Sequence, residues 1–181
     1  MSGRTLRSAT RTRPDFTTVA GHNIHPFRSL FPTLFTTFAR LQLVVRSRFG
    51  LGECRVIVPG FFHLTYVRNT GAAWGMFGGQ NNLLVLLSVA MLGAVFFFRR
   101  SLLTDSLAHR IALGCLVGGI VGNLLDRVRL DYVVDFLDFH LIGRHFPAFN
   151  LADAAICTGL GLYLLTSFRP TREAPSVSPD A

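Results

Sequence analysis

Lysine is absent from this sequence, so all 18 basic residues are arginines, set against only 10 acids. The resulting formal charge of +8 first suggests a nucleic-acid partner. No RNP-like segment and no zinc-ligand spacing accompany the arginines, and they form no single basic face. They stand beside apolar runs and at the two ends of the chain, which reads better as a membrane-topology signal than as a nucleic-acid footprint. Cysteine is also scarce. Cys54, Cys115 and Cys157 are widely spaced and odd in number, so neither a disulfide framework nor a metal site is indicated, and they read as buried small residues. Charge as a whole is thin, at 15% of residues, while half of the 181 residues are hydrophobic and 17 are Phe. With a mean hydropathy of +0.41, the chain is too apolar for an ordinary soluble domain, and its length allows one membrane domain.

The apolar residues gather in four segments, at about 27–45, 83–98, 111–125 and 152–168. Each is at or just under the ~20 residues that cross a bilayer core of ~30 Å. The first is interrupted by Pro32, several Thr and Arg40, and the third is rich in Gly. Four spans place both ends of the chain on one side. Arg4, Arg7, Arg11, Arg13, Arg99, Arg100, Arg110, Arg169 and Arg172 would then be cytoplasmic. Residues 1–26 read as an Arg-rich cytoplasmic tail and 169–181 as a disordered one. On the opposite side, 46–82 alternates Val, Ile, Phe, Leu and Tyr between Pro and Gly, a pattern of short strands at the interface. The segment 127–150 mixes acids with aromatics and reads as a surface loop.

Acidic residues are few, which makes their placement informative. The third segment ends GGIVGNLLDR (118–127), where Asn123, Asp126 and Arg127 share one helix face. Gly118 and Gly122 form a small-xxx-small pair that admits a neighbouring helix. The fourth begins FNLADAAI (149–156), with Asn150 and Asp153 one turn apart. A helix N-cap accounts for one of those two residues, not both. An acid at the membrane edge is costly and usually functional. Between these segments, VVDFLDF (133–139) embeds Asp135 and Asp138 among bulky apolar groups, where desolvation raises a carboxyl pKa. For Asp138, exposed alternation on a surface strand is the preferred reading. Two nearby carboxylates in a low-dielectric site share a proton, the basis of general acid–base hydrolysis without a covalent intermediate. No Ser/His or Cys/His arrangement competes with that chemistry.

In order and spacing, VPGFFHLTYVRNTGAAWGMF (58–77), GGIVGNLLDR (118–127), YVVDFLDF (132–139) and FNLADAAI (149–156) resemble the successive motifs of the lipoprotein signal peptidases (signal peptidase II). The resemblance covers about 44–168. It implies an all-α polytopic membrane protein of four transmembrane helices, with a small periplasmic β-cradle and a periplasmic loop between helices 3 and 4. It implies an intramembrane aspartic endopeptidase that cleaves diacylglyceryl-modified prolipoproteins before the lipidated cysteine. Asp135 and Asp153 match the catalytic dyad, and Asn69, Gly71, Ala72, Asn123, Asp126, Arg127 and Asn150 match its substrate-binding and supporting residues. No cofactor and no metal are expected. The implied partners are the prolipoprotein substrates and membrane lipids, with the chain a monomer of the bacterial inner membrane and its active site near the periplasmic face.

The chain departs from the family in one place. Where an Asp-Gln-x-x-Lys-type motif is normal at the outer end of the first span, this sequence has FARLQ (38–42). Everything before about Leu41 is unlike the family and reads as an altered N-terminus. Two other readings of the same residues stay open. One is a small ion-coupled transporter with Asp126, Asp135 and Asp153 along its path. The other is a catalytically impaired relative that still binds precursors.

Overall fold

Long, mainly apolar runs become helices here, and the alternating runs between them become one sheet. The computed structural model of the protein describes residues 25–72, 76–102, 106–141 and 144–168. The expected tails, 1–24 and 169–181, therefore lie outside the described residues. Helix α1 is His25–Arg48, followed by strands β1 (Cys54–Val58) and β2 (Phe62–Asn69). Helix α2 is Asn81–Phe97 and α3 the single turn Arg99–Leu102. Then come α4 (Leu107–Leu130), β3 (Val133–Leu141), β4 (Arg144–His145) and α5 (Leu151–Ser167). Helix α1 begins two residues inside the expected 1–26 tail and passes through Pro32. Helix α4 extends well beyond the apolar 111–125 run, and Arg127 and Arg129 suit its C-terminal turn.

The sheet is four-stranded and antiparallel in the order β1-β2-β3-β4. The segment 127–150, expected as a surface loop, in fact supplies β4 and, as one of the two inner strands, β3. Val133, Val134 and Phe136 on that strand are buried. Val134 and Phe136 have partners to bury against: Val45 at the end of α1, Tyr66 on β2, and the flanking Leu41, Leu64, Leu130 and Leu151. One apolar cluster thus seats the sheet against the ends of α1, α4 and α5.

Among the helices α4 is central, packing on α1, α2 and α5. Its close approach to α5 rests on Gly119 and Gly159. A Cβ on Gly119 would run into the Ala152 carbonyl oxygen and lie 2.7 Å from Ile156 Cγ1. One on Gly159 would meet the Ala112 oxygen at 2.6 Å. The expected pair has a milder role, since Gly118 only faces Leu34 and Gly122 faces Phe38 and Ala152 at ordinary contact distances. On α1, Gln42 is 6% exposed and its Nε2 has no hydrogen bond among the described residues.

Large apolar side chains remain uncovered on the outside of the helices, among them Leu86, Val89, Phe96 and Phe97 on α2 and Leu160, Leu164 and Leu165 on α5. Among the described residues, α4 is long and apolar enough to cross a membrane, and α2 and α5 are shorter apolar helices. Cys54 and Cys157 are exposed and Cys115 is half-buried, so the reading of the cysteines as buried residues is corrected for the first two.

Candidate active site

The polar residues converge where β2, β3, α4 and the start of α5 meet. Asp135 lies on β3, whose pairing places it opposite Val67 of β2. It is 1% exposed, and both carboxylate oxygens accept from asparagines. Asn69 Nδ2 donates to Oδ2 at 2.8 Å and Asn150 Nδ2 to Oδ1 at 2.8 Å. Asn69 is itself fixed, its Oδ1 accepting from the Gly71 N–H at 2.8 Å.

Asp153 reaches the same place from α5. The local reason is a capping box. Asn150 precedes the first turn and its Oδ1 accepts from the Ala152 and Asp153 N–H groups. The Asp153 carboxylate reaches back to the Asn150 N–H at 3.2 Å. Both residues therefore serve the cap, where the sequence pattern alone accounted for one. Asn123 of α4 donates to Asp153 Oδ1 at 2.6 Å, and its own Oδ1 accepts from Asn150 Nδ2 at 3.2 Å. The result is a continuous chain from Asp135 through Asn150 and Asn123 to Asp153. Asn150, fully buried, is its hub.

Burial is the main influence on Asp135. Desolvation of the carboxyl, followed by the charge of Asp153, pushes its pKa up to about 7. The two asparagine donors and the Arg127 guanidinium pull the other way without overcoming it. The charge of Asp153 thus disfavours ionisation of Asp135, the condition under which two neighbouring carboxyl groups can share a proton. Arg127 is buried and its Nη2 donates to the Gly71 carbonyl at 2.7 Å, while Nη1 is left without a hydrogen bond among the described residues.

These groups face a cavity of about 1160 Å³ lined by Asn69, Gly71, Ala72, Asn123, Arg127, Asp135 and Asp153. Its remaining wall is largely apolar, with Leu84, Leu87 and Met91 from α2 and Ile120 and Ile156 from α4 and α5. A cavity with convergent polar groups at one end and apolar walls suits an extended, mostly apolar ligand.

Of the expected site residues, Asp126 is turned elsewhere. Its Oδ2 accepts from the Val134 N–H at 3.2 Å, tying α4 to β3 instead of facing the carboxylate pair. Asp138 is also corrected. It is 7% exposed, not on an exposed face, and its carboxylate meets His140 and His145. Sequence reading missed Asn81 as well. Its Nδ2 donates to the Arg127 carbonyl and to Asp131 Oδ1, which pins the start of α2 to the end of α4. Asparagine beside a helix start gave no sign of so distant a partner.

A family model described as signal peptidase (SPase) II matches residues 37–169. The chain is 44% identical over 131 residues to a lipoprotein signal peptidase of Syntrophotalea carbinolica, covering 70% of this chain and 80% of that one. It is 37% identical over 150 residues to a lipoprotein signal peptidase of Vibrio cholerae, covering 80% and 88%. A solved bacterial membrane enzyme, determined by the in meso method, is 26% identical and superposes with a TM-score of 0.77 over 84% of this chain and 96% of its own.

Proposed function

The chain belongs to the signal peptidase II family, and on that footing we propose that it is an aspartic endopeptidase that removes the signal peptide from diacylglyceryl-modified prolipoproteins, cleaving before the lipidated cysteine. The observation that carries this reading is the linkage of Asp135 to Asp153 through Asn150 and Asn123 at the polar end of one cavity. Its chemistry follows from one proton shared between two carboxyl groups. The ionised group takes a proton from a water whose oxygen bonds to the scissile carbonyl carbon. The protonated group gives its proton to the carbonyl oxygen. Collapse of that intermediate breaks the C–N bond, and the leaving nitrogen takes a proton as the pair returns to its starting state.

The supporting residues fit that cycle. Asn69, Asn123 and Asn150 hold both carboxyl groups in place, and Arg127 Nη1 is a spare buried donor for a substrate carbonyl. Gly71 and Ala72 leave room for an extended backbone, and the Leu84, Leu87 and Met91 wall suits acyl chains or an apolar signal sequence. Asp126 acts through β3 and not by touching substrate.

The uncovered apolar faces of α2 and α5 favour lipid as their surroundings, with α1, α2, α4 and α5 as four spans. Seventeen residues give about 26 Å of helix, enough when flanking residues complete the crossing. The sheet and the carboxylates then lie at the periplasmic face of the inner membrane, both ends of the chain are cytoplasmic, and residues 27–168 form the protease domain of a monomer.

The test is incubation of the purified, detergent-solubilised protein with a diacylglyceryl-modified prolipoprotein, with Asp153→Asn as control. Release of the signal peptide by the wild type alone is the expected result. Equal release by Asp153→Asn, or cleavage of the unlipidated precursor at the same rate, would sink the reading.

A further inference from the structure

A second group of reactive side chains crosses one face of the sheet, drawn from all four strands: Cys54, His63, Asp138, His140 and His145. The register explains the grouping, since His63 pairs with Asp138 and His140 with His145. Two triads result, Cys54–His63–Asp138 and Asp138–His140–His145. Within each, one ligand atom per residue lies within 4.8 Å of the others. Both share Asp138.

Asp138 is the informative member. It is 7% exposed, yet its Oδ1 accepts no hydrogen bond among the described residues. His145 Nε2 lies 2.8 Å from that oxygen, but the ring N–H direction misses it, so the contact is an approach without a hydrogen bond. A buried carboxylate oxygen without a donor is unfavourable, and a cation seated between it and the imidazole nitrogen relieves it. His140 Nε2 is 3.3 Å from Oδ2. That is about the ~3.3 Å ligand–ligand edge of a tetrahedron with ~2.0 Å bonds.

We propose that Asp138, His140 and His145 form a binding site for one divalent transition-metal ion of the zinc class. Two imidazoles and one carboxylate match such borderline ions better than Mg²⁺ or Ca²⁺, which take mainly oxygen ligands. Three protein ligands leave a position open for water. His145 is exposed, so an ion enters without unfolding the sheet, and a turn of that side chain opens its 2.8 Å contact to coordination distance. Cys54 and His63 stay outside the coordination sphere, because both imidazoles of the second triad already contact the Asp138 carboxylate, whereas Cys54 Sγ and His63 Nδ1 contact each other at 3.6 Å. Asp138 and His145 also line the cavity that holds Asp135 and Asp153. The ion therefore ties β4 to the strand carrying Asp135, at the rim of the substrate cavity. The sequence reading expected no metal. The spacing Asp-x-His-x4-His in DFHLIGRH (138–145) is its only linear trace.

The test uses the full chain in detergent, free of any affinity tag and stripped by a chelator, titrated with Co²⁺ as a spectroscopic probe and then with Zn²⁺. The expected result is saturation at one equivalent, with the intense visible absorption of a low-coordinate Co²⁺ that Zn²⁺ removes. His140→Gln and His145→Gln each weaken binding on the order of tenfold or more while melting like the wild type without metal. Cys54→Ser binds as the wild type does. Absence of binding by the wild type, undiminished affinity in His145→Gln, or loss confined to Cys54→Ser would overturn the site. The titration does not depend on peptide cleavage, so its failure is distinct from failure of the peptidase reading.

Discussion

Asp135 carries most of what is testable at the scale of a residue. Its pKa is raised from 3.8 to about 7, first by desolvation and then by the charge of Asp153. In the window between those values the folded protein keeps a proton that the unfolded chain has released. The contribution of Asp135 to stability is therefore complete below 3.8 and is lost as pH rises through about 7. Asp135→Asn removes that dependence, so its thermal midpoint, followed across the window in detergent, should fall less steeply with pH than that of the wild type. The same substitution should lower turnover by about 10²–10⁴-fold, the usual worth of general acid–base catalysis. A second prediction concerns Asn150, the hub of the chain between the carboxylates. Asn150→Ala loses a helix cap worth about 1 kcal/mol and leaves Asp135 without one of its two donors. It should reduce both the melting temperature and kcat, whereas a surface cap residue would reduce the first alone.

Helix packing sets the predictions at the scale of elements. The close approach of α4 and α5 is what puts Asn123 within reach of Asp153. Gly119→Ala places a methyl against the Ala152 carbonyl oxygen, which is backbone and cannot swing aside. The expected loss is about 1–3 kcal/mol, read by chemical or thermal unfolding, with a disproportionate fall in activity as the helices separate. Gly118→Ala, facing only the flexible Leu34 side chain, should be tolerated. On α1, the buried Gln42 Nε2, without a partner among the described residues, carries a penalty of about 1–3 kcal/mol. Gln42→Met should therefore raise the unfolding midpoint, and an unchanged or lowered midpoint would show that the amide has a partner in solution. Gln42 lies in the FARLQ stretch where the chain departs from its family, so the departure has a local energetic signature.

For the whole molecule, the exposed apolar faces of α2 and α5 decide the environment. The protein should fractionate with membranes, resist extraction at high pH and ionic strength, and enter solution only with detergent. Recovery in the soluble fraction without detergent would contradict the four-span arrangement. Much of the architecture was legible in linear form. Runs such as NNLLVLLSVAMLGAVFF have no continuous polar face, which suits a helix in apolar surroundings. Alternation from Cys54 to Asn69 marked the first hairpin, because a two-residue period suits a strand. The strand at 133–141 was harder to read, because its acids resemble a solvated loop until Val45 and Tyr66 arrive from distant segments to cover the apolar side.

The sequence by itself determined the helix-forming runs, the family, and which acids and asparagines stand near the ends of those runs. Those properties reside in hydrophobic period and in contiguous motifs, and neither needs a distant partner to be recognised. Only the tertiary structure decided which acid faces which neighbour. Asp126, Asp135 and Asp138 lie within thirteen residues of one another in the chain. Yet one holds a backbone N–H, one joins Asp153 through two asparagines, and one meets two histidines. A carboxyl group's role depends on the charge and donors within a few ångströms of it. Those are supplied by strand register and by the approach of α4 to α5, neither of which is written in the neighbouring residues.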